Sequence, residues 1–408
     1  MSNRQSKSSG KKVEKRNSVR ERRLYSFKPF VFVKLKCDGN VWPKARSGHR
    51  IVCNKNNIYS YGGYNPDLMT TVSDFNLDEN WAESKPLFRE VWKFNMARSE
   101  WSKVRASNIP YVLASNAVVL QGNVLMVYGG TGVPFGQHCS HTLYVCNLSD
   151  EIPHFREVMV KGDIPEPQYG QAVFLYKQYF YVIGGTTGYD YSCDVHRLDL
   201  VTGKWEVMRL NRGAPYDPPG RYRHEIGLYL SKNKVFILGG GTAHHSYELQ
   251  DVPVYDLDTN KWSIHTTVGD AKVLENNGYP IARRFHSLVQ LPDSDDVYVT
   301  GGESGGSGVH CDTWKLNLES LQWTRIDSMR LENGKYFHAA TLSPQGKMYL
   351  FGGISQDKRS DELFTAWICI PKLQEICWEA LNHYNILNGL PQDSLKQMIP
   401  PEFIQRLD

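Results

Sequence analysis

Short runs of Val, Ile, Leu, Tyr and Phe, each broken by turn residues, recur along most of this chain, and helical periodicity is confined to its end. Six of the runs close on a Gly-Gly pair: Ile58 to Gly63, Leu125 to Gly130, Tyr181 to Gly185, Phe236 to Gly240, Val297 to Gly302 and Tyr349 to Gly353. Successive pairs stand 67, 55, 55, 62 and 51 residues apart. β-Branched and aromatic residues suit a buried strand, and paired glycines permit a turn where side chains would collide near a crowded axis. Four of the pairs are followed by an apolar or aromatic residue, six further residues and a Trp: Phe94 and Trp101, Leu198 and Trp205, Tyr255 and Trp262, Leu316 and Trp323. That spacing predicts two antiparallel strands joined by a tight hairpin, with the Trp packed between neighbouring sheets. The second repeat departs from it, because an insertion containing Pro153 separates Cys146 from Phe155.

A unit of about 50 residues with four strands and a Gly-Gly pair resembles the Kelch repeat. The resemblance runs over roughly residues 26–370 and implies an all-β, six-bladed Kelch β-propeller. After Gly353 the last repeat offers one further strand, Leu363 to Ile370, before Pro371, so its outermost strand is missing from that side. The alternating run Pro29 to Lys36 can supply it and tie the ring shut, which protects an open edge. The expected organisation is a basic leader over 1–25, the propeller over 26–370 and a short helical appendix over 371–408.

Charge refines this picture. The net charge is +4, yet Met1 to Leu24 carries nine Lys/Arg against two Glu, so the rest of the chain is about −3. A nucleic-acid-binding fold spreads its basic stripe over a folded surface, whereas here the excess sits in a Ser/Lys/Arg leader expected to be disordered. No specific nucleic-acid partner is therefore expected. No run approaches the ~18 apolar residues of a membrane span, and the first residues lack the apolar run of a signal peptide. A cytoplasmic or nuclear location, without membrane contact, follows as the expectation. The eight cysteines lie irregularly, with no CxxC pair, and predict thiols in or beside strands rather than a zinc site. No metal or other cofactor is expected.

In a four-stranded blade the loop between the second and third strands lies at the same end as the segment leading into the first. The lead-in segments include Ala45 to His49, Gly220 to His224, Ala282 to His286 and Gly334 to His338. Basic and aromatic residues thus converge on one face. Guanidinium forks with aromatic walls suit a peptide carboxylate. The candidate substrate-binding residues are Arg223 and Arg284 foremost, with Arg221, Arg283, Arg46, Tyr64, Tyr189, Tyr222, Phe285 and Tyr336. The histidines of these segments, and in part the arginines, also suit a structural role, satisfying carbonyls between blades. Between Tyr64 and Arg89 lies a long acidic insertion with Asp67, Asp74, Asp78, Glu79 and Glu83. A loop of that length in a compact domain is usually functional or disordered.

Beyond Pro371 an amphipathic helix is predicted, with Leu373, Ile376, Cys377, Ala380, Leu381 and Tyr384 on one stripe. Two shorter helical segments follow, Asp393 to Ile399 and Glu402 to Leu407. The run Leu373 to Ala380 resembles the Leu-x-x-x-Cys box of cullin-ligase substrate receptors, although Lys372 stands where that box has a small residue or Pro. The resemblance implies that Leu373 and Cys377 enter a groove of elongin C. Leu390-Pro391 with Leu395 is similar to the short Leu-Pro motif of receptors that recruit cullin-2. Together with the runs Gly63 to Asp67, Gly184 to Tyr189 and Arg221 to Glu225, the tail resembles Kelch receptors of cullin-2 RING E3 ubiquitin ligases. That family likeness implies a non-catalytic subunit working with elongin B/elongin C, cullin-2 and a RING-box protein. It further implies that the propeller face binds C-terminal, glycine-ending degrons. The competing expectation is a Kelch scaffold in stress signalling or the cytoskeleton with no ligase role. Enzymatic propellers are a weaker fit, since no sialidase-type Asp-box run is present and nothing local marks a copper-radical site.

Overall fold

The computed structural model describes residues 24–36, 41–68, 86–384, 386, 394 and 397–407. Each Gly-Gly pair closely follows the second of four antiparallel strands, in blade 3 lying within that strand, and six such sheets form the blades of a propeller. Blade 1 has strands Arg50–Cys53, Asn57–Tyr61, Val91–Asn95 and Glu100–Val104. The first strands of blades 2 to 6 are Ala117–Gln121, Ala172–Tyr176, Glu225–Tyr229, Ser287–Gln290 and Ala339–Leu342. These innermost strands ring the axis, and that of blade 1 packs against those of blades 2 and 6. Blade 3 carries a fifth strand, Lys161–Gly162, running parallel to Lys204–Arg209.

The apolar-to-Trp spacing is a cross-strand pair in all four predicted cases: Phe94 faces Trp101, Leu198 faces Trp205, Tyr255 faces Trp262 and Leu316 faces Trp323. In blade 2 the fully buried Phe155 takes the Trp position, its ring 5.9 Å from that of Tyr61. Apolar clusters fill the spaces between blades; one joins Phe236 and Leu238 of blade 4 to Val297, Leu316 and Trp323 of blade 5.

The ring closes as the sequence implies. Val33 pairs with Thr365 and Lys34 with Phe364, so the N-terminal segment is the outermost strand of blade 6. Phe30 and Leu35 extend the ladder, donating to the carbonyls of Trp367 and Leu363 at 2.7 and 2.8 Å. Phe30 and Phe32 pack into the blade 5 to blade 6 core while Val33 faces out, the alternation that a half-buried edge strand requires.

The appendix docks beneath blades 1 and 6. Helix α1 (Leu373–His383) and the short α2 (Pro401–Ile404) meet through Trp378 and Phe403, whose rings are 5.2 Å apart. Arg406 grips Glu375 with two bonds of 2.7 Å, and Lys347 of blade 6 reaches Glu379. Among the described residues no helix is long and apolar enough to cross a membrane. The leader up to residue 23 and residues 69–85 of the acidic insertion lie outside the described residues, as do Leu390, Pro391 and Leu395.

Candidate functional site

The lead-in segments superpose by backbone pairing. Ser47, Ala114, Tyr169, Tyr222, Arg284 and Tyr336 each bridge to the residue after a Gly-Gly pair, respectively Tyr64, Thr131, Thr186, Gly241, Glu303 and Ile354. The next residues in the chain, Gly48, Ser115, Gly170, Arg223, Phe285 and Phe337, all have φ between 54° and 69°. Each donates its N–H to the carbonyl of the equivalent residue one blade back: Ser115 to Gly48, Gly170 to Ser115, Arg223 to Gly170, Phe285 to Arg223, Phe337 to Phe285 and Gly48 to Phe337. The six bonds, 2.7 to 3.3 Å long, form a closed circle around the axis. Left-handed backbone is unfavourable for Phe and Arg and persists where its surroundings over-determine it. Here the circle does so.

The residue preceding each bridge decides the fate of three predicted arginines. Arg46, Arg221 and Arg283 are buried, and each donates through Nη1 to the first glycine carbonyl of its own blade, Gly62, Gly239 or Gly301, at 2.9 to 3.1 Å. Arg46 also pairs with Glu90 at 2.6 Å, and Arg283 holds Asp312 with two bonds. They are internal struts, turned away from the rim, and this corrects their assignment to the substrate site. Lys335 occupies the same place in blade 6 and pairs with Glu362 at 2.7 Å. Arg284 is corrected too: Glu303 takes its Nε at 2.6 Å and the Thr242 carbonyl takes Nη1, so its charge is already met.

Arg223 differs. Its guanidinium projects from the circle into the space left by Gly48, Ser115 and Gly170, bonding the Ser115 hydroxyl and lying over the Phe337 ring at 5.1 Å. It is 5% exposed, its Nε has no partner, and no carboxylate among the described residues pairs with it. Burial, and then the nearby Arg50, push its pKa down to about 9, which leaves it cationic at neutral pH. Against Gly48, Ser115 and Phe337, on the side away from the guanidinium, lies a pocket of about 150 Å³ whose walls also include Tyr64, Phe135, Tyr169 and Tyr222; Arg223 sits behind this lining. Arg359 stands on the lip, over the Tyr64 ring at 5.3 Å and 3.4 Å from the Ser47 hydroxyl, also with no carboxylate partner among the described residues.

The remaining predicted residues divide. Tyr222 is T-shaped to Tyr169 and to Phe285, at 6.1 and 5.6 Å, and lines the pocket with Tyr64. Phe285 stacks on Phe337 at 3.9 Å and supports the pocket from beside it, with Tyr336 next in line. Tyr189 is 79% exposed at a hairpin tip and does not line the pocket. Sequence reasoning passed over Ser115, Phe135, Tyr169, Phe337 and Arg359. Register was the available signal for Ser115 and Phe337, which occupy the repeat position of Arg223; Arg359, six residues beyond Gly353 in the loop after the last pair, has no such repeat signature. A buried cation under aromatic walls, with a hydroxyl and a second cation in reach, is built to take an anion with an apolar neighbour. Among the described residues the lining contains no carboxylate, imidazole or thiol.

A second surface lies on α1. Leu373 is 73% exposed and Cys377, one turn on, is exposed as well, while Trp378 faces inward. Glu375 and Glu379 anchor the helix to its surroundings, which leaves the Leu373/Cys377 edge unpartnered among the described residues.

A family model described as the KLHDC2/KLHL20/DRC7 Kelch-repeats domain matches residues 10–226, 80–273 and 228–385. The chain is 39% identical to the human Kelch domain-containing protein 10 over 376 residues, covering 91% of this chain and 81% of that protein. It is 39% identical to the Drosophila melanogaster Kelch domain-containing protein 10 homolog over 419 residues, 94% of this chain and 67% of the relative. Kelch domain-containing protein 2 of Bos taurus is more distant, 23% identical over 341 residues and 77% of each chain.

Proposed function

This chain belongs to the Kelch-repeat propeller family and is homologous to Kelch domain-containing protein 10, and from that premise we propose that it is the non-catalytic substrate-recognition subunit of a cullin-2 RING E3 ubiquitin ligase. Its propeller mouth holds the free C-terminal carboxylate of a target, glycine-ending by family likeness. Its α1 helix inserts Leu373 and Cys377 into elongin C, and through elongin B/elongin C it joins cullin-2 and a RING-box protein in the cytoplasm or nucleus. The observation that carries the reading is Arg223, a desolvated guanidinium without a carboxylate partner among the described residues, set directly behind the Gly48, Ser115 and Phe337 lining of an aromatic pocket. Leaving such a charge unpaired costs several kcal/mol, so a ligand carboxylate recovers energy that water cannot supply. The exposed Leu373/Cys377 edge supports the second half of the reading.

Two measurements test it. A synthetic peptide ending in a free glycine carboxylate binds at least about tenfold tighter than its amidated twin, and Arg223→Ala removes that preference. Equal affinity of the two peptides sinks the carboxylate assignment. Truncation at Pro371 abolishes elongin B/elongin C co-purification while peptide binding persists. Indifference of partner binding to that truncation would favour a scaffold instead.

A further inference from the structure

Two residues beyond the axial circle the first strands begin, at Arg50, Ala117, Ala172, Glu225, Ser287 and Ala339. Four of the six are Ala or Ser. The two long side chains stand on blades 1 and 4, opposite each other across the ring, and meet in the space the small residues leave. Arg50 Nη1 donates to Glu225 Oε1 at 2.8 Å, and Arg50 Nε donates to the Asn116 carbonyl at 3.3 Å. Both side chains are mostly buried, 17% and 18% exposed, in an axial channel of about 330 Å³ that Gln171 and Gln290 also line. The pair is a crossbar beneath the mouth.

Arg223 lies within the field of both partners. Arg50 disfavours its charge and Glu225, two residues along the same chain segment, favours it. A buried carboxylate so placed is the natural internal partner of Arg223, yet Arg50 holds it. We infer that Arg50 is a positioning residue for the anion site: by engaging Glu225 from the opposite blade, it keeps Glu225 from neutralising Arg223 and so leaves that guanidinium open to a ligand carboxylate. Arg50 touches no ligand in this scheme. Without it, Glu225 is a largely buried anion with Arg223, two residues earlier in the chain, as a cation in its field, and buried charges take whatever partner is within reach.

This inference rests on the carboxylate reading of the mouth, and the experiment separates the two. The probe is the free-acid glycine-ending peptide beside its amidated twin, titrated into the full chain carrying Arg50→Gln, Glu225→Gln or both. Arg50→Gln is expected to lower free-acid affinity at least tenfold and to collapse the acid-to-amide ratio. Glu225→Gln alone keeps or raises affinity. The double variant, which replaces the ion pair by two amides of similar length, returns affinity to within about threefold of the parent. Full affinity in Arg50→Gln overturns the role of Arg50. So does a folded double variant that binds as poorly as the single one, since that marks the crossbar as merely structural. Should Arg50→Gln fail to fold, the double variant decides alone, by binding like the parent or not. A parent chain that does not distinguish acid from amide sinks the mouth reading, and the role of Arg50 with it.

Discussion

Arg283 and Arg223 are both buried arginines from equivalent segments of adjacent blades, and their surroundings give them opposite energetics. Arg283 satisfies the Gly301 carbonyl and the Asp312 carboxylate, which it holds well below the usual carboxylate range. Removing it leaves the largely buried Asp312 carboxylate without a countercharge, held only by the Trp314 indole among the described residues. Arg283→Ala is therefore expected to cost about 3 to 5 kcal/mol in a urea titration while leaving peptide affinity of the folded fraction unchanged. Arg223 satisfies only a hydroxyl and a ring face, so Arg223→Ala relieves an uncompensated charge, keeps or raises stability, and abolishes binding. A common loss of stability in both variants would contradict this division. The arginine-rich segments were legible in the sequence, but their sorting was not. Two steps along the chain turn a side chain from the interior of the blade to the axis, and whether it finds a carboxylate there depends on residues contributed by other blades. Gly48, Ser115 and Gly170, more than the arginine itself, make room for the Arg223 guanidinium.

The helical appendix shows the same dependence at the scale of an element. Periodicity placed Leu373, Ile376, Cys377, Ala380, Leu381 and Tyr384 on one stripe, and a stripe of that width reads as the buried face. The structure buries Trp378 instead, against Phe403 and Ala97, with Leu381 at the margin. The helix turns because its acidic residues find Arg406, Lys347 and the Trp367 indole on the propeller side, partners that no local pattern reveals. The edge left outside is the one that the box resemblance singled out. Leu373→Ala is thus expected to change stability by no more than ~0.5 kcal/mol yet weaken elongin co-purification, whereas Trp378→Ala undocks the helix at a cost of about 3 kcal/mol. A thiol reagent should modify Cys377 in the native protein while the buried Cys146 and Cys193 react only on unfolding. Protection of Cys377 in the isolated chain would mean that this edge is already covered. The closing strand was legible in full, since its alternation, its Pro boundary and the missing fourth strand of blade 6 are all local facts.

For the whole molecule, blade junctions set the response to acid. His224, His286 and His338 lie over the first glycine of the preceding blade's pair, Gly184, Gly239 and Gly301, and His49 closes the circle over Gly352. A methyl group added to Gly352 would stand 2.6 Å from the His49 ring, at a φ of 66° that disfavours side chains in any case. In blades 2 and 3 Asn116 and Gln171 replace the histidines, and Gln171 lies over Gly129 in the same way. All four imidazoles are buried, and each has a strut cation three residues earlier, Arg46, Arg221, Arg283 or Lys335. Burial first, and that cation second, hold their pKa values down, to about 3 for His224 and His338 and well below the usual range for His49 and His286. The folded state therefore refuses protons that the unfolded chain accepts below ~6.5, and stability must fall as pH falls through that window. Each histidine contributes up to about 1.4 kcal/mol per pH unit between ~6.5 and its folded value, so four acting together amount to about 5.5 kcal/mol per unit at full effect. Glu362, held down to about 2 by its two lysines against the cost of burial, adds a loss of the same sign only below the ordinary carboxylate range. The expected result is a propeller stable and nearly pH-independent above 7, with denaturant midpoints that drop steeply from pH 6 to 5. Unfolding in that interval takes up at least four protons, with His310, held down to about 4 by burial and then Arg283, adding to the junction histidines, as the slope of stability against pH will read. A midpoint that stays level down to pH 5 would mean that the junction imidazoles accept protons in place, and that the seams between blades are wetter than their burial implies.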